Sequence, residues 1–560
     1  MSFKKRMTTS EGFEKTSSLL VFYLVALTAT AIVLPMCFLG NASGHDLQPH
    51  VASWIEVASQ WREGIVWPRW AAGANYNFGE PRFIFYPPLS WLMGAVLGSI
   101  LPWKTVPGVY VWLSIVVAGI AMWVFAREWL SPTRAIVAAI LFAANPYHIA
   151  LVYYRSAFAE LLASALFPFV VCGFLGVLRR QWSRAPLLAV SFAAVWLSNA
   201  PAAVMTTYSL ALLLGVACFM TRSLRPLLFG AVSMVAGLGL AAFYVLPAWW
   251  EQRWVQINGA ISTTYNPEHN FLFARANEPA VIHFNWKIST VAVVLILLTG
   301  IALVLGRNLR HERRAIWWML AAVSVASIFL MLPLSTFAWR YLPELRYLQF
   351  PWRWLLVLGF GFGVFAAAAG MRRRVVWWLT LAIVVGGTSV TIAGDTAWDS
   401  EDVPAVVESI RAGHGYEGIE GFQPVGANLD ELDDQSPLIG EVDPESGDIH
   451  TLETVKINVT RWSAEDKVFE TKSKEPAKLA LRLFQYPAWE IQVDNQAFHA
   501  EAAPQTGQIV LPLVSGTHHV ELHFRRTRDR TIGAVISVVS LICFLIPTTL
   551  QISRRIRRID

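Results

Sequence analysis

Residues 17–39 read SSLLVFYLVALTATAIVLPMCFL, and residues 40–50 continue GNASGHDLQPH. The first stretch carries no charge and exceeds the roughly 17 residues needed to cross a bilayer core. It is longer than a signal-peptide core, lacks an Ala-x-Ala-like cleavage site and follows a basic, polar segment over 1–15. It therefore reads as a first transmembrane helix with its basic flank in the cytoplasm. The second stretch then emerges on the opposite face, with His45, Asp46 and His50 next to the membrane.

The rest of the chain repeats this pattern. Apolar runs follow at about 106–126, 133–151, 157–178, 185–199, 203–220, 226–247, 289–306, 314–333, 352–370, 375–394 and 531–551. Hydrophobic residues make up 55% of the 560 residues and charged ones only 15%, too little charge to cover a soluble surface of this size. Arg127/Arg134, Arg179/Arg180/Arg184, Arg222/Arg225, Arg307/Arg310/Arg313/Arg314, Arg372/Arg373/Arg374 and Arg554/Arg555/Arg557/Arg558 all fall between or after runs. The positive-inside rule places them in the cytoplasm. Basic charge so distributed speaks for membrane topology rather than a nucleic-acid-binding face. Cys37, Cys172, Cys218 and Cys543 each lie within an apolar run, so no disulfide framework is implied.

The run 89–103 breaks the parity. If it crossed, the loop holding Arg127 and Arg134 would move outside and every later basic loop would invert. It is short and opens after Pro87-Pro88, with Gly94 and Gly98 inside, so it reads as a segment lying on or dipping into the outer leaflet. About twelve spanning helices remain, with both termini inside. The expected architecture is an all-α polytopic module over 1–394, including a long extracytoplasmic loop 40–105, then an extracytoplasmic domain over 395–530. A last helix and basic tail occupy 531–560.

From about Thr454 the apolar period becomes two: Val455, Ile457, Val459; Leu479, Leu481, Leu483; Trp489, Ile491, Val493; Ile509, Leu511, Leu513; Val520, Leu522, Phe524. Asp494-Asn495 and Gly516 supply turns. These are half-buried antiparallel strands, and a small β-sandwich is the natural solution. Residues 395–450 are acidic and show little periodicity.

The outer face carries the residues with chemistry. After Asp46, Val51, Trp54, Ile55, Ala58 and Trp61 form a stripe, predicting an amphipathic helix on the membrane surface. Asp46 stands at its start, four residues from His50, so the two can share a face; an N-cap explains Asp46 equally well. A metal site of His45, Asp46 and His50 is disfavoured because the two histidines do not share a helical face. Arg82, with Tyr86 in the following Tyr86-Pro87-Pro88-Leu89, suits a phosphate and a lipid or sugar, or an interfacial anchor. Tyr154-Arg155 and Glu160 open a helix where charge is expensive and faces a cavity or its own partner. Tyr347, Gln349 and Arg353 lie in Tyr347-Leu348-Gln349-Phe350-Pro351-Trp352-Arg353, where Arg353 either holds a lipid phosphate or snorkels to headgroups.

Together, Gly44-His45-Asp46, Tyr86-Pro87-Pro88-Leu89, Tyr154-Arg155 with Ala159-Glu160, Gln349-Phe350-Pro351-Trp352-Arg353 and the late Tyr486-Pro487-Ala488-Trp489 resemble bacterial YfhO-like membrane proteins. These stand near the group labelled 6-pyruvoyl-tetrahydropterin synthase-related. No residue pattern supports pterin chemistry. The resemblance covers nearly the whole chain and extends to the GT-C fold of glycosyltransferases that use polyprenyl-phosphate sugars. It implies that Asp46 acts as general base or metal ligand, assisted by His50 and Glu160. It further implies donor-phosphate binding by Arg82, Arg155 and Arg353, and substrate contacts from His45, Tyr86, Tyr154, Tyr347 and Gln349. Asp46 is not part of an Asp-x-Asp or Asp-Glu pair, so dependence on a divalent cation such as Mg or Mn stays open.

The implied partners are the lipid-linked sugar donor, membrane lipids and an extracytoplasmic glycan, lipid or protein acceptor, with no nucleic acid. The implied location is the bacterial inner membrane. A lipid transporter or flippase, or a non-catalytic scaffold, is the competing class. Against transport, no inverted repeat or Gly/Pro-broken helix pair is visible, and the polar groups gather on one face.

Overall fold

The computed structural model describes residues 2–179, 181–261, 265–275, 279–306, 313–369, 375–431, 436–443, 448–452 and 454–556, with side chains described over 18–545 except Trp182. Arg180, Arg307, Arg310, Arg372, Arg373, Arg374, Arg557 and Arg558, on which part of the topology reading rests, lie outside the described residues. Helix α1 (Ser2–Leu39) is followed by strand β1 (Asn41–Ala42), α2 (Leu47–Arg62) and α3 (Pro88–Ile100). Next come α4 (Val106–Ala126), α5 (Phe158–Leu178), α6 (Ala185–Ser198), α7 (Ala200–Thr221), α8 (Arg225–Glu251) and α9 (Pro279–Leu305). Helices α10 (Leu355–Ala369) and α11 (Val375–Gly394) lead to β2 (Trp398–Asp399) and α12 (Asp402–Arg411), and α13 (Arg528–Ile556) ends the described chain.

Among the described residues, 9 helices are long and apolar enough to cross a membrane, or up to 10 if Arg314–Leu330 and Pro333–Tyr341, bent by 94°, make one span. The run expected at 185–199 forms the 14-residue α6, short of a full crossing. Its end has a local cause. Asn199 is extended (φ −157°), and its side chain accepts from Ala202 N at 2.9 Å, capping α7 while Pro201 enters that helix. The last expected run lies within α13, 29 residues long.

The bundle is built around α10, which is buried along its whole length. Its sequence LLVLGFGFGVFAAAA is apolar all round, as a helix needs when it meets protein on every side. Gly359, Gly361 and Gly363 let Asn145, Ser324 and Phe142 come close, the small-residue packing common between membrane helices.

The first loop differs from expectation in one respect. α2 forms as predicted, but it does not lie open on a surface. Trp54, Ile55, Glu56 and Gln60 are all buried, because α3 and α12 cover it. α3 spans 13 residues, too few to cross a bilayer.

The C-terminal domain pairs two five-stranded antiparallel sheets. One orders β10 (Glu501–Ala502), β11 (Gln508–Leu513), β7 (Ala477–Phe484), β3 (Ile439–Val442) and β4 (Ile449–His450). The other orders β5 (Lys456–Trp462), β6 (Asp466–Ser473), β12 (Gly516–Phe524), β8 (Trp489–Val493) and β9 (Gln496–Ala497). Phe469, Leu481, Ile491, Leu511 and Leu522 share one core between them, the β-sandwich that the alternation predicted. Asp494 and Asn495 both take positive φ, 51° and 63°, as a tight hairpin demands. Strands start earlier than Thr454, at Ile439, and α12 falls in the stretch without visible period. In β7, Leu479, Ala480 and Leu481 are all buried, since the outer face of that sheet packs on the first loop, with Phe484 5.5 Å from Phe78.

One buried ion pair joins the β domain to the bundle. Arg530, opening α13, donates to Glu251 from Nε (2.6 Å) and Nη2 (2.8 Å), and Tyr486 Oη donates to the same carboxylate at 2.6 Å. Both charged residues are buried, so removing one strands the other. Glu251→Gln is expected to lower stability by roughly 3 kcal/mol, read as a fall in the thermal midpoint, with Glu251→Gln/Arg530→Met recovering part of it.

Candidate functional site

The site grows from a break in one helix. The helix begun at Pro132 stops at Ala143, and Asn145 caps the next turn by accepting from Tyr147 N (3.0 Å) and His148 N (3.1 Å). The chain then widens into a π-turn over Leu151–Arg155 and reverses through Ser156, whose φ of 52° is left-handed. Wide turns of this kind gather at functional sites. The start of the first loop docks on the reversal. Ser156 Oγ donates to Ala42 O (2.7 Å) and accepts from Gly44 N (3.2 Å), and Asp46 N donates to Arg155 O (2.8 Å).

Gly44 is required by this approach, because a Cβ there would strike the Arg155 carbonyl carbon, a backbone atom that cannot yield. Gly44→Ala is expected to destabilise the chain by about 1–3 kcal/mol and to spread Asp46 from Arg155. The check is a lower thermal midpoint together with loss of the activity assayed below; an unchanged midpoint would show that the loop can shift.

Four charged side chains now line up. Arg155 Nη2 donates to Asp46 Oδ2 at 2.7 Å, and its Nη1 donates to Glu160 Oε2 at 2.7 Å. Arg353 Nε stands 3.2 Å from the same Glu160 oxygen, an ion-pair distance without hydrogen-bond alignment, while its Nη1 donates to Leu348 O at 2.8 Å. Tyr147 Oη donates to the other Glu160 oxygen. The Arg155 guanidinium sits over the rings of Trp352 (5.0 Å) and Phe350 (5.8 Å), a cation–π contact strengthened by burial. Glu160 is 1% exposed and Arg155 4%, whereas Asp46 keeps 35% of its side chain open. Asp46 holds the N-cap position of α2 but makes no side-chain cap bond; its carboxylate is committed to Arg155 instead. Burial, the largest single influence, pushes that carboxyl up, but Arg155, His50, Arg353 and His45 together outweigh it and hold the carboxyl below the usual carboxylate value.

His50 lies one turn along α2. Burial pushes its imidazole down to about 4, so it is neutral at pH 7. Its Nε2 is 3.4 Å from Tyr86 Oη and its ring packs on Trp54 and Phe158. His45 points outward, edge-on to Phe284 at 5.0 Å. Gln349 accepts from Arg353 Nη1 at 3.3 Å and donates to Ala260 O at 2.7 Å.

Three expected site residues go elsewhere. Arg82 is fully enclosed, donating to Glu80 (2.7 Å), Ser53 (3.2 Å) and Glu417 O (3.4 Å), with Tyr416 beneath it at 5.0 Å. It locks the first loop to the segment after α12, and no face of it is open to a ligand. Tyr347 accepts from Arg346 at 2.9 Å. Tyr154 turns to Asp395, donating at 3.4 Å, where Lys287 pairs with the same carboxylate oxygen at 2.7 Å.

Sequence reading passed over Tyr147 and Phe284. Tyr147 follows Asn145-Pro146, a helix-end signal that says nothing of a reach to Glu160, and Phe284 comes from α9 to meet His45 and Trp352. Among the described residues no three of His, Cys, Asp or Glu converge as a metal site.

The model of the 6-pyruvoyl-tetrahydropterin synthase related domain, described as a membrane protein, matches residues 83–394. No curated protein matches the chain. Among solved structures, the arabinofuranosyltransferase AftD from Mycobacteria is similar at 16% identity and TM-score 0.40, over 68% of this chain and 27% of its own. The Archaeoglobus fulgidus oligosaccharyltransferase is similar at 15% identity and TM-score 0.35, over 71% of this chain and 53% of its own. The chain therefore spans about a quarter of the first of these and about half of the second. The family match runs through more than half of the chain, from the first loop to the end of α11, and takes in Arg155, Glu160 and Arg353: the chain belongs to the 6-pyruvoyl-tetrahydropterin synthase related family of membrane proteins.

Proposed function

We propose that this chain is an integral-membrane glycosyltransferase that moves a sugar from a polyprenyl-phosphate-linked donor to an acceptor on the extracytoplasmic side of a bacterial inner membrane, with both termini in the cytoplasm. The observation that carries the reading is the half-open Asp46 carboxylate in contact with Arg155, with Arg353 behind it across Glu160. Glycosyl transfer needs a base for the acceptor hydroxyl and positive charge where the phosphate departs. Asp46 takes the hydroxyl proton as the acceptor oxygen bonds to the anomeric carbon. The bond from that carbon to the phosphate oxygen breaks, and the electron pair leaves on the phosphate, held by Arg155 with Arg353 adding charge. His50, neutral and hydrogen-bonded to Tyr86, shapes the wall beside the base. His45 and Gln349 stand at the edge, where a sugar meets the protein.

The expected stereochemistry is inversion at the anomeric carbon, and a product of retained configuration would overturn that step. The first test is the mass of lipid co-purified with the gently solubilised chain and with Asp46→Asn. A polyprenyl-phosphate sugar enriched in the variant supports transfer and identifies the sugar. Bulk phospholipid alone in both samples would turn the reading toward transport or a scaffold.

A further inference from the structure

We propose that Asp46 occupies the anion position on Arg155 that a ligand phosphate takes on binding, so that the phosphate enters by displacing the Asp46 carboxylate. This rests on reading the site as one for a phosphorylated donor and says how that donor gains the cation.

Three observations converge. Arg155 is enclosed, and of its two carboxylate partners only Asp46 is open to solvent, at 35% against 1% for Glu160. A ligand therefore meets Asp46 before it meets the guanidinium. Second, the two partners are not equally free to leave. Glu160 also faces Arg353 and accepts from Tyr147, so moving it would strand the buried Arg353. Asp46 makes no cap bond to α2, and its carboxylate can swing outward while its backbone N stays bonded to Arg155 O. Third, the cluster is balanced as it stands, with two arginines against two carboxylates. A phosphate added with Asp46 in place would set two anions on one nitrogen, Nη2; with Asp46 turned away, the guanidinium edge presents its donors to phosphate oxygens.

The exchange couples binding to chemistry. While Arg155 holds Asp46, the carboxylate is a poor base; once phosphate takes Arg155, the carboxylate is released beside the donor. Water reaching the free protein then finds no activated base.

The test is inorganic pyrophosphate binding, by calorimetry, to the full-length chain in detergent and to its Asp46→Asn and Asp46→Ser variants. Losing the competing carboxylate is expected to tighten binding about tenfold, the scale of one close charge pair. The same comparison with farnesyl phosphate separates sources of the anion: a gain with both ligands means the phosphate group suffices, and a gain with farnesyl phosphate alone means a lipid-borne phosphate is needed. No gain with either overturns the proposal.

The natural chain gives a readout that needs no variant. Carbodiimide labelling of Asp46, followed by peptide mass spectrometry, is expected to rise with added sulfate, a phosphate-shaped dianion inert to the reagent. Unchanged or reduced labelling overturns the proposal. Tighter anion binding in the variants of a chain that transfers no sugar would sink the transferase reading and leave the displacement standing. Transfer by a chain whose variants gain no affinity would do the reverse.

Discussion

Asp46→Asn is expected to abolish sugar transfer while leaving the fold intact. The fall should reach about 10²–10⁴-fold, the usual contribution of a positioned general base. The amide keeps nearly the shape of the carboxylate and still offers an oxygen to Arg155, which retains Glu160 at 2.7 Å. The measurement is transfer from a labelled polyprenyl-phosphate sugar in proteoliposomes, with the thermal midpoint as a control for folding. Retention of more than about a tenth of the rate would remove Asp46 from the base role.

The pH profile supplies a second check on the same residue. The groups around Asp46 are His45, His50, Tyr86, Arg155 and Arg353, and their net effect holds its carboxyl below the ordinary value. The acid limb of kcat/KM, which reports the free enzyme, should therefore lie below the usual carboxylate range. The acid limb of kcat, which reports the bound complex, should lie higher if the donor phosphate takes Arg155.

Glu160→Gln is expected to give the largest loss of stability of any single change at the site. The carboxylate is the common counter-charge of Arg155 and Arg353, which approach it at 2.7 and 3.2 Å in a setting closed to water. Breaking such a buried pair costs about 3–5 kcal/mol, because the unpaired cation stays buried. Asp46 still serves Arg155 after the change, so the loss falls mainly on Arg353, whose remaining bonds go to the Leu348 carbonyl and Gln349. The prediction is a marked fall in thermal midpoint and in yield of folded protein, partly restored in Glu160→Gln/Arg353→Met. A midpoint equal to that of the natural chain would mean that water already reaches the pair.

Arg155, Glu160 and Arg353 were visible in the sequence because charge beside a membrane-length apolar run is costly and needs a partner or a task, and Asp46 because it opens the amphipathic helix one turn before His50 and matches the family resemblance. Their convergence was not visible. It depends on the π-turn at Leu151–Arg155 and on Ser156, which bring the 44–46 segment onto the 155–156 backbone. Arg82 shows the limit of the same signal. It too lies beside the membrane with aromatics around it, yet Glu80, two residues before it, already supplies its counter-charge at 2.7 Å. Tyr147 shows the opposite case, a residue without local signal whose hydroxyl completes Glu160.

The membrane class, the short first-loop helix α3 and the alternating strands of the β domain were determined by sequence alone. Hydropathy, charge between runs and a period of two are local properties that every residue reports independently of its distant neighbours. The burial of α2, the double-sided burial of β7 and the ion-pair chain at the site were decided by tertiary structure. α2 is amphipathic in sequence, but what covers its polar face is α12, about 350 residues away, through Tyr416 bonding Glu56 at 2.7 Å just past that helix. A one-dimensional pattern tells which residues must leave water. Only the folded chain tells which charges they take with them, and therefore which one remains free to act.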